Sequence, residues 1–147
     1  MNLPEQIHKE IHIQATRWQV WTVLTDPVLM VEWMGDPEMH LSVEADWRVG
    51  GRILIRGHHH TWFENNGNVV VFQPPFRLIY NQLNTLSRFP GLPENYTSLD
   101  FQIFSESTES RMSLTIRNFP TDSIYRHYDF YWQGTLQYLV RLAEGLV

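Results

Sequence analysis

The last stretch of the chain, Asp122 to Val147, constrains the fold more than any other. Its apolar residues fall at Ile124, Tyr128, Tyr131, Trp132, Leu136, Leu139, Ala143 and Leu146. Steps of three and four put them on one face of an α-helix, with Arg126, Gln133, Gln137, Arg141 and Glu144 on the other. Pro120 to Ser123 ends the preceding strand and offers a choice of N-caps. At ~1.5 Å per residue the helix runs roughly 35 Å, about the width of a small domain. A stripe carrying three large aromatics needs a broad apolar surface to lie on. The preceding chain reads as a set of strands that supplies one.

Strands are predicted from alternation. Ile7, Ile11 and Ile13 oppose His8, Glu10, His12 and Gln14 over Gln6 to Ala15, with Lys9 in the apolar register and its stem along the edge. Thr16 then opens a short helix through Trp18, Trp21 and Leu24, and Thr25-Asp26-Pro27 ends it. A second short helix runs from Pro27 to Trp33 and closes at Gly35-Asp36-Pro37. Alternation resumes over Met39 to Ala45. Gly50-Gly51 marks a turn or bulge, and Ile53 and Ile55 continue the sheet. Gly57 with His58 to His60 reads as a turn. Trp62 to Gln73 returns, with Asn65-Asn66-Gly67 as a bulge or a turn inside it. Pro74-Pro75 breaks the ladder. Phe76 to Leu83, Thr97 to Ser105, and Met112 to Ile116 are the remaining strands, with a long connection from Asn84 to Tyr96 and a polar hairpin at Glu106 to Ser110. Short turns between consecutive strands imply an antiparallel sheet. The expected class is α+β: six to seven antiparallel strands curving around a long C-terminal helix, with two short helices after the first strand, in one domain over residues 1–147.

Composition narrows the function. Net charge is −5 and no Lys/Arg cluster appears, which argues against a nucleic-acid binder. The absence of cysteine removes disulfides, thiolate metal sites and cysteine nucleophiles, and fits a reducing compartment. No signal peptide is visible at the N-terminus, and no run approaches the ~18 apolar residues of a membrane span. A cytoplasmic location is the expectation. Aromatics at 14% suit either a rich core or the wall of an apolar pocket.

The order of these pieces resembles the SRPBCC or START-like superfamily, with its helix-grip fold. Within it the chain is most similar to the family named for the activator of the ninety-kilodalton heat-shock-protein ATPase. The matching pieces are Ala15 to Trp21 running into Leu24-Thr25-Asp26-Pro27, Trp33, Val49-Gly50-Gly51-Arg52, and Gly67-Asn68-Val69 leading to Pro74-Pro75-Phe76-Arg77-Leu78. Leu114-Thr115 and Trp132, Leu136 and Leu139 complete them. Family members often carry a histidine shortly after the Leu-Thr pair. Here the position is Ile116, so no role tied to that histidine is carried over. The resemblance implies an apolar cavity between sheet and helix. Its relatives bind lipids, polyketides, hormones or other apolar molecules, and some are cyclases or cochaperone domains. No shared catalytic set comes with it.

Polar constellations point to little chemistry. His58-His59-His60 reads as a solvent-exposed turn, because a metal site needs three or four converging ligands. His8, Glu10 and His12 share one strand face and read as the wet side of the sheet. No serine elbow or phosphate loop is present. Asp36, Glu38, Glu44 and Asp46 are close in sequence, but no acid–base dyad is placed. No catalytic residue, cofactor or metal set is assigned.

The inward register assigns a ligand-binding set: Tyr80, Phe101, Leu114, Ile116, Tyr128 and Trp132, with Trp33 as a lid. Asn118, in register with Ile116, joins the tyrosine hydroxyls as an orienting polar group. The alternative is that the strand has ended by Asn118 and the aromatics are packed core. Three functional readings follow. One is a module binding an apolar small molecule such as a lipid, polyketide or aromatic. Another is a protein-interaction module related to chaperone activators, using an exposed patch around Leu86, Phe89 and Leu92. A cyclase- or hydrolase-type enzyme needs a titratable group in the cavity. A homodimer is compatible with all three.

Overall fold

The computed structural model describes residues 4–145. Seven strands, all antiparallel to their neighbours, form one curved sheet: β1 (Gln6–Ile13), β2 (Ser42–Ala45), β3 (Arg52–His59), β4 (Thr61–Gln73), β5 (Arg77–Asn84), β6 (Thr97–Glu106) and β7 (Glu109–Arg117). Their order is β1-β7-β6-β5-β4-β3-β2. Consecutive strands from β2 to β7 are neighbours, so short hairpins build most of the sheet. The link from β1 to β2 spans it by way of two short helices, α1 (Arg17–Thr25) and α2 (Pro27–Met34). The chain ends in α3 (Asp122–Gly145), which lies on the concave face. Leu146, expected on the stripe of α3, lies outside the described residues.

Caps set the helix boundaries. Thr16 Oγ1 accepts from Gln19 N at 3.3 Å, and Gln19 Oε1 accepts from Thr16 N at 2.8 Å, a reciprocal box that starts α1. Asp26 closes α1 and caps α2 by accepting from Val28 N at 3.0 Å, with Pro27 in the first turn. Of the candidates before α3, Thr121 does the capping, with Oγ1 accepting from Ile124 N at 3.1 Å.

The stripe of α3 is buried at Tyr128, Trp132, Leu136, Leu139 and Ala143. It meets Leu78, Leu99, Phe101, Leu114 and Ile116 from the sheet. Complete burial of a side chain such as Leu139 contributes about 1.5–3 kcal/mol. Lys9, in the inward register of β1, sends Nζ to Asp129 Oδ1 of α3 at 3.4 Å. The opposite face of β1 is wet: His8 Nδ1 bonds Thr115 Oγ1 at 2.9 Å, and Glu10 pairs with Arg111 at 3.2 Å. Beside them Asp100 is buried under a two-pronged bond from Arg77, at 3.1 and 2.8 Å.

Three local expectations are corrected. Met39 is not in a strand: Asp36 caps a single 3-10 turn over Pro37–Met39, His40 takes a left-handed conformation, and β2 starts at Ser42. The histidine turn is one residue wide, since β3 continues through His59 and only His60 has positive φ. Asn65-Asn66-Gly67 is neither turn nor bulge. β4 runs straight through it, and the irregularity falls between Val69 and Val71.

Candidate functional site

The middle of the sheet–helix interior is filled. Tyr80 stacks on Phe101 with ring centres 6.0 Å apart, Phe101 meets Trp132 edge-on at 5.8 Å, and Trp132 lies 5.9 Å from Trp33. Leu114 and Ile116 are buried beside them. Trp33 is therefore an internal anchor and not a lid: its indole N–H donates to Val23 O at 2.9 Å, tying α2 to α1. Trp132 Nε1 is buried without an acceptor among the described residues.

Open space begins where this packing stops. A cavity of about 310 Å³ lies between the first turns of α3, the end of β5 and the connection from β5 to β6. Ser123, Ile124, His127 and Tyr128 line it from the helix. Gln82, Leu83, Asn84, Leu86, Ser87, Asn95 and Thr97 line it from the sheet and connection, with Asn65 from β4. Apolar surface makes up most of the wall. None of these residues is acidic, and none is Lys or Arg.

The wall is held by its own hydrogen bonds. Gln82 Nε2 donates to the Tyr128 hydroxyl at 2.8 Å, and Thr97 Oγ1 donates to Asn118 O at 2.9 Å. Asn84 Nδ2 donates to Asn65 Oδ1 at 2.8 Å, while Asn84 Oδ1 accepts from Leu86 N at 2.8 Å. These pairs fix the side chains in place and leave part of their donor and acceptor capacity unused, so the polar groups both shape the cavity and offer themselves to it.

Burial sets the protonation states. It pushes the Tyr128 hydroxyl up to about 12, against the opposing hydrogen bonds of Gln82 and Thr97. It also pushes Tyr80 and Tyr131 above the ordinary tyrosine range. All three hydroxyls are neutral at physiological pH. Partial desolvation, helped by His59 nearby, holds His127 below the ordinary histidine value. The residue is nonetheless exposed, and its ring stacks on Tyr131 with centres 6.3 Å apart.

Of the eight residues expected to bind ligand, Tyr128 alone lines this cavity. Tyr80, Phe101, Leu114, Ile116, Trp33 and Trp132 are packed interior behind it. Asn118 lies elsewhere, because β7 ends at Arg117 and Asn118 turns into a left-handed conformation (φ 70°) that asparagine tolerates. Its exposed side chain donates to Glu94 O and Tyr96 O, both at 2.8 Å, and so fixes the connection behind Thr97. Gln82, Asn84 and Thr97 lie outside the set that sequence reasoning assigns. The signal was present, since Leu78, Tyr80, Gln82 and Asn84 share one register, and Thr97 shares that of Leu99 and Phe101. Among the described residues, no group of three His, Asp or Glu side chains is arranged to hold a metal ion.

Residues 14–144 match the model of a family described as activator of Hsp90 ATPase homolog 1-like protein. The chain belongs to that family. Solved structures agree with the assignment. A protein from Cytophaga hutchinsonii, determined in solution, is 25% identical with a TM-score of 0.78, covering 99% of this chain and 97% of that one. A crystal structure from Chromobacterium violaceum is 19% identical with a TM-score of 0.79, covering 97% and 99%. CalU16 from Micromonospora echinospora is 18% identical with a TM-score of 0.71, covering 94% of this chain and 75% of its own. The last two likenesses concern the fold alone. No functionally curated protein matches at a significant level. No described helix is long and apolar enough to cross a membrane. The fold and family are those of a hydrophobic-ligand-binding or activator-type domain.

Proposed function

We propose that the chain binds a small, uncharged, largely apolar molecule in the cavity between α3 and the end of β5. The carrying observation is a preformed cavity of about 310 Å³ with a mostly apolar wall and no charged lining residue. That volume sits at the low end of the ~300–1,000 Å³ usual for ligand sites. With the aromatic interior closed behind it, the space suits one or two fused rings better than a whole lipid. A neutral wall gives an ionised ligand nothing to pair with, and burying an unpaired charge is costly. Tyr128, Gln82 and His127 supply the few polar contacts that orient such a molecule. Tyr80 and Trp132, one layer deeper, keep the wall rigid.

Thermal-shift titration against polyphenols, sterols and fatty acids tests this, preceded by native mass spectrometry for a co-purified mass. A compact neutral polyphenol raises the melting temperature with concentration, as mass action requires. Ile124→Trp, which fills the mouth, abolishes the shift. No shift from any neutral ring compound overturns the reading. It then transfers the weight to the activator-type alternative, which the exposure of Leu86 (52%), at the cavity, and of Leu92 (48%), farther along the same connection, favours.

A further inference from the structure

A second hollow lies at the other end of β5. It is a cleft of about 550 Å³ lined by Thr16, Arg17, Trp18, Pro74, Pro75, Phe76, Ser105 and Ser107. The eight residues of β5 separate it from the first cavity, by roughly 25 Å at the usual strand rise. None of the first cavity's lining residues belongs to it.

Arg17 is the one ionisable lining residue. Its guanidinium stands 4.6 Å from the centre of the Phe76 ring. Its Nε is cut off from solvent and has no acceptor among the described residues. The shielded Nε is out of reach of an incoming anion, but no ion pair or hydrogen bond among the described residues occupies the terminal guanidinium nitrogens, so the charge is available to an anion in the cleft. The N–H groups of Arg17 and Trp18 open α1 and have no intrahelical acceptor, which adds positive potential on the same side. Ser105 and Ser107 supply hydroxyls. The rim is apolar: Trp18 is 60% exposed and Phe76 52%.

The walls are pinned together. Ser110 Oγ donates to Ala15 O at 2.7 Å, joining β7 to the start of α1. Ile103 N donates to Phe76 O at 2.9 Å, and Phe76 N to Gln73 O at 2.6 Å, fixing the β4–β5 turn against β6. The cleft is therefore formed before anything enters it.

We infer that this cleft binds a small aromatic carboxylate, with the anionic group on Arg17 and the ring against Trp18 and Phe76. The planar fork of arginine matches a carboxylate, and its stacking on Phe76 holds the fork in place. The chemistry is the converse of the first cavity, where no fixed charge lines the wall.

The test is an amide-resolved NMR titration of the full chain with sodium benzoate, with benzyl alcohol and inorganic phosphate as controls. Benzoate moves the amides of Arg17, Trp18, Phe76 and Ser107 and leaves those of Gln82 and His127 in place. Benzyl alcohol and phosphate each bind about tenfold more weakly or worse, and Arg17→Gln reduces benzoate affinity about tenfold. Trp18→Ala, at an exposed position, weakens benzoate without unfolding the protein, so the idea stands or falls even if Arg17→Gln fails to fold. Equal binding of benzyl alcohol overturns the anionic requirement. Equal binding of phosphate overturns the aromatic one. No movement of these amides at saturating benzoate overturns the site.

Discussion

Gln82 of β5 donates to the Tyr128 hydroxyl of α3 at 2.8 Å, and this bond helps tie the sheet to the helix at the mouth of the cavity. Tyr128→Phe keeps the ring and removes the acceptor. Gln82 is half-buried and recovers part of the loss from water. The variant is expected to lose about 1 kcal/mol of stability, measured by urea unfolding with an unchanged slope. Affinity for a neutral ring ligand falls with it, because the wall loses both a donor and its fixed position. Unchanged stability and unchanged ligand shift together would show that the bond neither braces nor orients anything.

The buried Tyr80 and Tyr128 and the half-buried Tyr131 make the protein sensitive to alkali. Tyr128 titrates at about 12 in the folded chain, and Tyr80 and Tyr131 are raised as well. In the unfolded chain all three ionise near ~10. The unfolded state therefore releases protons first, and the stability these groups contribute is complete below ~10 and lost as pH rises beyond it. Each group steepens the fall by about 1.4 kcal/mol per pH unit while the folded form stays protonated. Denaturation midpoints should drop steeply above pH ~10, and phenolate absorbance should show three of the six tyrosines ionising only with unfolding. Six that titrate together in the native state would remove the basis for this.

Sequence carried the architecture because period two and period three-to-four each recur over whole segments here, Lys9 apart. The alternation of Ile7, Ile11 and Ile13 and the stripe from Ile124 to Ala143 place the sheet and helix correctly. Where single residues decide, the reading failed for physical reasons. Asn118 follows Ile116 in perfect register, but strand register ends when one residue takes positive φ, and alternation does not register that. The candidate site was displaced for a related cause. Inward-facing aromatics mark both a cavity wall and a packed core, and only the distances among Tyr80, Phe101, Trp132 and Trp33 tell them apart. The open space lies where the inward register turns polar, at Gln82 and Asn84.

His127 should respond to acid. Its folded value lies below the ordinary ~6.5, so the unfolded chain takes up its proton first. Its contribution to stability is present above that value and is lost as pH falls through it. An NMR titration should place its midpoint below that of an unshifted histidine, and His59→Ala should move it upward by removing a neighbouring positive charge. Protonation also puts a charge into an otherwise neutral cavity wall, so neutral-ligand affinity should weaken as the pH falls below the ordinary histidine value of ~6.5. A midpoint unmoved by His59→Ala would leave desolvation as the whole cause.

Gly67 and Gly50 separate two reasons for glycine. At Gly67 a Cβ would lie 1.8 Å from Asn81 O and 2.6 Å from Asn81 C, both main-chain atoms of the neighbouring strand. Nothing flexible can give way there. The close approach also lets Asn81 Oδ1 accept from Asn68 N at 2.9 Å, one residue before the cavity residue Gln82 on β5. Gly50 has the opposite problem: open space around its Cβ position, but a φ of 85°. Gly50→Ala should therefore cost about 1–2 kcal/mol, the penalty of a left-handed residue alone. Gly67→Ala should cost more than about 4 kcal/mol, because β4 and β5 must part to admit the methyl group. Urea midpoints of the two variants, measured side by side, decide it. If Gly67→Ala were the milder substitution, the close pairing of β4 and β5 that forms the sheet side of the cavity would have to be abandoned.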